Sequence, residues 1–303
     1  MTWLTGIMPA LLTPFDAEGN VNTAMARELV EFHLTQNVTG FYVCGGTGEG
    51  ILQTEEERQL MTETVVDQVK GRVPVISHIG AITTGAAARL AAHAKEAGAD
   101  GISSVPPFYF NVGFEGVKGH YAEIGAASDL PIYIYNVPHA TGVNVTPTML
   151  KDMCEEIPTI AGMKFTSYNF FEMRQILDLE IRGKKLNIVS GPDELMVAAQ
   201  AMGAHGAIGT FYNVMPQLFV DAYTAFNAGD VKKATELQTR ANSVIGAYFG
   251  IGGGISAVKA MMKMLGFDCG TGRRPNPPLT EEKIEQLKAA LTDIGFFDFV
   301  PGR

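Results

Sequence analysis

Lys164 closes a short apolar run, Ile160-Ala161-Gly162-Met163-Lys164-Phe165, that offers its amine no counter-charge. A lysine held at the end of a buried strand loses hydration, its pKa falls, and the neutral amine can attack a carbonyl to form a Schiff base. Taken alone, such a lysine is more often one that lays its stem along a strand and carries its ammonium out to water. Other polar residues fall at comparable places, each just after a short apolar run. They are Gly46, Thr47, Gly48 and Glu49; Tyr135 and Asn136; Thr166; Gly191, Asp193 and Glu194; and Gly209, Thr210 and Tyr212. An amine, a phenol and a Gly-Thr turn brought to one mouth would make an imine-forming site. The amine would form the imine, the phenol would move protons, and backbone N–H groups with a hydroxyl would hold a carboxylate.

Each part has a plainer reading. Gly45–Gly50 lacks the Gly-x-Gly-x-x-Gly order of a nucleotide loop and could be a tight turn alone. Tyr135 could be a core tyrosine with a satisfied hydroxyl. Asp193 and Glu194 could cap the helix they open, the better reading in isolation. Cys44 reads as a buried inert thiol. Gly250–Gly254 is either a loop over the mouth or a helix break. The six His show no metal-ligand spacing, so no metal is expected.

Positioning these residues on one mouth requires a repeating scaffold. Short apolar strands alternate with amphipathic helices: strands at 6–12, 41–44, 73–78, 101–105, 132–135, 160–167, 186–190 and 206–209, with helices between them. Thr54 and Glu57 form a capping box at the head of the second helix. Residues 94–102 weakly echo 199–207, each a helix end, a Gly stop and a strand start. This pattern predicts a (β/α)8 TIM barrel over residues 1–214, with active residues at the carboxyl ends of the strands. A doubly wound open sheet, the rival, usually has fewer strands and a phosphate-type Gly loop near its start. From 215 to 303 only helices are predicted, a C-terminal extension packed on the barrel or used as an oligomer surface.

The 303 residues carry 23 basic and 32 acidic side chains, a net charge of −9. That balance argues against nucleic acid or an anionic membrane as the main partner. Three cysteines, widely spaced, suggest neither a disulfide framework nor a zinc site. With no signal-like start and no apolar run near ~18 residues, a cytoplasmic location without a membrane anchor is expected.

Gly-Gly-Thr-Gly-Glu (45–49), Tyr-Asn-Val-Pro-x-x-Thr-Gly (135–142) and Gly-Met-Lys-Phe-Thr (162–166) occur in this order. Together they resemble the N-acetylneuraminate lyase and dihydrodipicolinate synthase superfamily of pyruvate-dependent aldolases, over nearly the whole chain. The resemblance implies a (β/α)8 barrel, a homotetramer and no cofactor beyond the covalent imine of Lys164 with pyruvate. It implies that Tyr135 transfers protons and that Thr47 with adjoining backbone grips the pyruvate carboxylate. Tyr109 matches a tyrosine that reaches into a neighbouring subunit's site, and Ile208 a residue whose backbone lies beside pyruvate. Gly191-Pro-Asp-Glu194 is similar to the lyases' Gly-aromatic-Asp-Glu, whose acidic pair bonds a sialic acid's polyhydroxyl tail. Thr166, Gly209 and Thr210 match further sugar-contacting positions. Two departures bear on the branch. Ala140 stands where the synthases carry the Arg that receives the carboxylate of aspartate semialdehyde. Gly46 stands where both branches usually have Ser or Thr. The resemblance therefore implies cleavage of N-acetylneuraminate or another 2-keto-3-deoxy sugar acid, with dihydrodipicolinate synthesis as the alternative. A non-catalytic keto-acid sensor on the same barrel is the reading from another class.

Overall fold

The computed structural model describes residues 3–300 and Gly302. Eight parallel strands form one sheet: β1 (Gly6–Pro9), β2 (Phe41–Val43), β3 (Val75–His78), β4 (Gly101–Ser104), β5 (Ile132–Asn136), β6 (Ile160–Phe165), β7 (Asn187–Ser190) and β8 (Gly206–Gly209). Sequential neighbours pair throughout, and β8 returns to β1 in register, Gly6 opposite Gly206 and Pro9 opposite Gly209. The Leu11 N–H donates to the Tyr42 carbonyl at 2.8 Å and the Thr39 N–H to that of Ile7 at 2.9 Å, closing β1 onto β2. The sheet is thus a TIM barrel with no free edge. Several strands are shorter than the apolar runs suggested. The first, expected to reach Leu12, ends at Pro9 with an isolated bridge from Ala10 to Tyr42 beyond it, and Val73 and Pro74 precede β3.

The intervening helices are α1 (Thr23–Thr35), α2 (Glu55–Val69), α3 (Thr84–Glu96), α4 (Gly113–Ser128), α5 (Pro147–Glu156), α6 (Phe170–Asp178) and α7 (Met196–Met202). Their starts are written in cap residues. Asn22, Thr54, Thr83, Thr146 and Asn169 each accept an N–H from the first turn, and Thr54 with Glu57 completes the capping box. A two-residue hairpin, Glu180–Ile181 with Lys184–Lys185, was not anticipated, because it is too short to show a pattern. After β8 come α8 (Pro216–Asn227), α9 (Val231–Gly250), α10 (Ile255–Met264) and α11 (Glu281–Asp293). They share one apolar cluster with the barrel, where Ile7, Leu29, Phe41 and Val65 meet Val244, Met261 and Leu287. Among the described residues no single helix is long and apolar enough to cross a membrane.

The barrel interior is filled by Met8, Tyr42, Ile76, Tyr133, Val189 and Ile208. Strand β6 enters this layer with a phase change. Ile132 pairs with Ile160, but Tyr133 pairs with Gly162, so β6 carries one extra residue there. Ile160 faces the helices and Ala161 the interior; after the bulge Met163 and Phe165 face the helices again. Lys164, paired with Tyr135, is thereby turned inward. Without the bulge, period-two alternation would send Lys164 to the same side as Ile160. Gly162 permits this, because a Cβ there would stand 1.9 Å from the Asn187 carbonyl oxygen on β7. Gly162→Ala should therefore force β6 and β7 apart and lower stability by about 1–3 kcal/mol, as overpacking does. Denaturant unfolding measures it, and a parental midpoint would show that the bulge does not depend on this approach.

Candidate active site

Lys164 is 4% exposed, and its Nζ lies 4.4 Å from the centre of the Tyr42 ring and 4.2 Å from that of Tyr135. Burial pulls the amine down to about 7, and the Asp193 carboxylate offsets only part of that fall. The snorkelling alternative is excluded by this inward position. Tyr135 stands edge-on to Tyr42 at 6.0 Å and to His78 at 5.9 Å. Burial pushes its phenol up to about 12, with the Thr166 hydroxyl drawing it back and Asp193 adding to the rise. At neutral pH the pair is a phenol that keeps its proton beside an amine that can lose one.

Three buried residues behind this pair were missed from sequence. Tyr42 donates to the Ser103 hydroxyl at 2.9 Å, which donates to the Tyr133 carbonyl at 2.7 Å. His78 bonds the Cys44 carbonyl through Nδ1 at 3.1 Å, and burial, Arg58 and Lys164 all hold it well below the usual histidine range. Arg58 donates to the carbonyls of Gly80 at 2.9 Å and His78 at 2.6 Å, fixing the end of β3. Strand alternation could have pointed Tyr42 and His78 inward, but nothing in α2 marks Arg58 as buried. Cys44 is buried, and its thiol is pushed up to about 11 by that burial, as suits an inert side chain.

The Gly-rich turn after β2 is tight for steric reasons. A Cβ on Gly50 would sit 1.8 Å from the Cys44 carbonyl oxygen, and one on Gly45 2.5 Å from the Tyr42 ring. Thr47 presents its hydroxyl to that of Thr210 at 2.7 Å, so the turn after β2 and the end of β8 meet over the mouth. Gly46 is exposed, with nothing within 4 Å of a Cβ placed on it. Three residues expected at the mouth are elsewhere. Glu49 points into the extension and pairs with the fully buried Lys259 of α10 at 2.7 Å. Asn136 is buried and pins the following loop through Val145 N–H and Asn144, both at 3.0 Å. Tyr212 is buried against Phe219, 4.5 Å between ring centres.

Asp193 and Glu194 do not cap a helix. The chain makes a 3-10 turn over Asp193–Leu195, and neither this turn nor α7 has a side-chain cap. Asp193 accepts from the Phe211 N–H at 2.7 Å through Oδ2. Its buried Oδ1 has no hydrogen-bond partner among the described residues. Burial pushes the Asp193 carboxyl up to about 7. Gly209 leaves room for it, since a Cβ there would lie 1.6 Å from Oδ1. Glu194 accepts from the Tyr168 hydroxyl at 2.6 Å. A cavity of about 580 Å3 opens here, lined by Thr166, Gly191, Asp193, Glu194 and Thr210 together with Tyr168, Tyr248 and Phe249. The lining stops short of Lys164 and Tyr135, which lie deeper in the barrel.

Ile208 faces the barrel interior opposite Met8. Tyr109 does not join this cavity. It is 87% exposed, takes φ +77° in the loop after β4, and packs on Phe110 at 4.9 Å. Gly250–Gly254 is the break between α9 and α10, with Gly254 N–H donating to the Tyr248 hydroxyl at 2.8 Å. Among the described residues no group of three or more His, Cys, Asp or Glu could hold a metal ion.

The depressed amine has a direct readout. Below about pH 7 Lys164 is protonated and unreactive; above it the neutral amine dominates. Competitive labelling with an amine-reactive reagent should give half-maximal modification of Lys164 near pH 7, against ~10.4 for an ordinary lysine. Asp193→Asn removes the charge that favours the ammonium, so the midpoint should move to lower pH. A midpoint near that of surface lysines would overturn the desolvated-amine assignment.

Residues 3–294 match the sequence profile described as the Dihydrodipicolinate synthetase family. The chain is 35% identical to N-acetylneuraminate lyase of Escherichia coli K12 over 297 residues, 97% of this chain and 98% of that protein. Its fold superposes on Proteus mirabilis N-acetylneuraminate lyase with a TM-score of 0.91 at 30% identity, covering 97% of this chain and 100% of the other. Dihydrodipicolinate synthase from Aquifex aeolicus gives a TM-score of 0.90 at 31% identity, covering 99% and 100%. Nearly end-to-end agreement in sequence and fold, around a buried lysine at the mouth of the barrel, means that this chain belongs to the dihydrodipicolinate synthetase family.

Proposed function

We propose that this protein is a class I aldolase, a carbon–carbon lyase acting through a lysine–pyruvate Schiff base, and that it cleaves N-acetylneuraminate to N-acetylmannosamine and pyruvate. The observation that carries this is the desolvated amine of Lys164, with no carboxylate in bonding contact among the described residues, held 4.2 Å from the Tyr135 ring deeper in the barrel than the cavity of Thr166, Asp193 and Thr210. Lys164 attacks the C2 carbonyl of the keto acid, and water leaves as the imine forms. A proton is taken from the C4 hydroxyl, the C3–C4 bond breaks, and its electrons pass into the imine to give an enamine as the aldose leaves. Protonation at C3 and hydrolysis then release pyruvate. Tyr135 is the proton relay. Its phenol begins protonated, and the iminium cation formed beside it favours the phenolate, so the relay is charged by the step that needs it. No cofactor enters this sequence.

Thr47 and its neighbouring N–H groups hold the carboxylate, with Thr210 orienting the Thr47 hydroxyl, and the Ile208 backbone lies beside the pyruvate unit. Thr166, Gly191, Asp193, Glu194 and Thr210 receive the sugar tail. One orphaned buried acceptor, Asp193 Oδ1, supports a hydroxyl-rich ligand, because a buried polar atom without a partner costs about 1–3 kcal/mol. Among the described residues no Lys or Arg lines this cavity to receive a second carboxylate, His139 being its one basic side chain. Ala140 is exposed on the short helical turn Pro138–Thr141, and the acidic pair faces the cavity. Tyr109, held out on an exposed loop, is suited to reach a second copy's site, in keeping with a homotetramer.

Borohydride with pyruvate should fix an adduct on Lys164, and Lys164→Arg should lose both adduct and turnover. Pyruvate release from N-acetylneuraminate and 2-keto-3-deoxygluconate, beside condensation with aspartate semialdehyde, ranks the substrates. An adduct on Lys184 or Lys185, or efficient condensation of aspartate semialdehyde alone, would overturn this reading. Gly46→Ser should fold normally in the open space around it and lower KM for pyruvate by adding a hydroxyl to the carboxylate site; an unfolded or unaltered variant would place that space elsewhere.

A further inference from the structure

Tyr168 follows β6 by three residues, in a loop that is held rather than loose. The Asn169 N–H donates to the Ser167 hydroxyl at 3.2 Å, and the Asn169 side chain caps α6 by accepting the Glu172 N–H at 3.2 Å. The phenol of Tyr168 is 70% exposed, yet its hydroxyl donates at 2.6 Å to Oε1 of Glu194, across the cavity mouth from the β7 side. Among the described residues Glu194 is otherwise tied at its backbone, where its carbonyl accepts from Asn242 at 3.1 Å, which leaves a second carboxylate oxygen for a ligand. Tyr168, Tyr248 and Phe249 give the cavity aromatic lining beside Asp193 and Glu194.

We propose that Tyr168 is a specificity-determining residue that holds the Glu194 carboxylate across the mouth and offers its ring to the distal part of a long polyhydroxylated tail. This rests on the aldolase reading above and adds to it a residue that selects for the length of the tail. Glu194 has freely rotating bonds, and without a partner its carboxylate would sample solvent-facing rotamers. The Tyr168 bond removes that freedom, so that one oxygen is fixed by the protein and the other meets a substrate hydroxyl. The C–H face of the sugar then lies on the ring. A three-carbon aldehyde carries no such tail.

The test is condensation of pyruvate with N-acetylmannosamine and with glyceraldehyde, using the full chain and Tyr168→Phe, Glu194→Gln and the double variant. Tyr168→Phe keeps the ring and loses the bond. It should raise KM for N-acetylmannosamine roughly 10- to 100-fold with kcat little changed, and alter glyceraldehyde kinetics less than about threefold. The effects of Tyr168→Phe and Glu194→Gln should be far from additive, as expected of groups acting through one another. Equal losses with both aldehydes, or additive effects, would overturn the proposal in favour of a structural role. If the parent rejects N-acetylmannosamine, the substrate named above is wrong. The role of Tyr168 is then judged by the same comparison between glyceraldehyde and the longest aldose the parent accepts, and an absent length dependence sinks it. Borohydride trapping with pyruvate reports separately on the imine site.

Discussion

One extra residue in β6 decides what this barrel can do. The sequence of β6 alternates, but Lys164 stands on the interior only because the strand slips by one residue at Ala161–Gly162 relative to β5. The slip is possible because β7 passes so close to Gly162 that no side chain fits. Its consequence is electrostatic. An ammonium placed among tyrosine rings, with no carboxylate in bonding contact, is penalised by lost hydration, and the amine becomes neutral near physiological pH. The phenol beside it is shifted the opposite way by the same burial. Amine and phenol therefore owe their states to one dry environment rather than to separate partners.

A second constraint ties the mouth to the C-terminal helices. Glu49 belongs to the Gly-rich turn whose Thr47 faces the mouth, yet its carboxylate is spent on the scaffold. It pairs with Lys259 and accepts from the Arg273 N–H at 2.6 Å and Asn276 at 3.0 Å. Lys259 also donates to the Thr271 carbonyl at 3.0 Å and lies over the Phe15 ring. Arg273 forks onto Glu57, the residue that closes the capping box of α2. Buried ion pairs of this kind contribute little net stability against an apolar substitute, but losing one partner typically costs about 3–5 kcal/mol. Their effect is to fix geometry. The turn that carries Thr47 cannot move without breaking charged contacts to the segment that follows α10.

The cavity beyond Lys164 divides its chemistry by depth. Deep in the barrel are the amine and the phenol; next come hydroxyls and the Asp193 carboxyl with its unpartnered oxygen; at the rim are aromatic rings. Such a gradient suits a ligand with a reactive keto acid at one end and an extended, partly apolar polyol at the other.

From the sequence alone the barrel was legible, because eight apolar runs, their caps and their Gly stops are local signals read over a few residues. Lys164, Tyr135, Thr47, Asp193 and Glu194 could be named as candidates because each lies at or just beyond the carboxyl end of a strand. Their relations could not be read there. Whether Lys164 faced the interior depended on a register shift between strands β5 and β6, and period-two alternation alone could equally place it outside. Whether Glu49 served the mouth or the scaffold depended on Lys259, far along the chain. Whether Asp193 and Glu194 capped a helix depended on Phe211 and Tyr168, which compete for their oxygens. Residue type and local spacing determined which groups could do chemistry. Burial and long-range contact decided which of them do, since desolvation and hydrogen-bond partnership arise only when distant segments pack together.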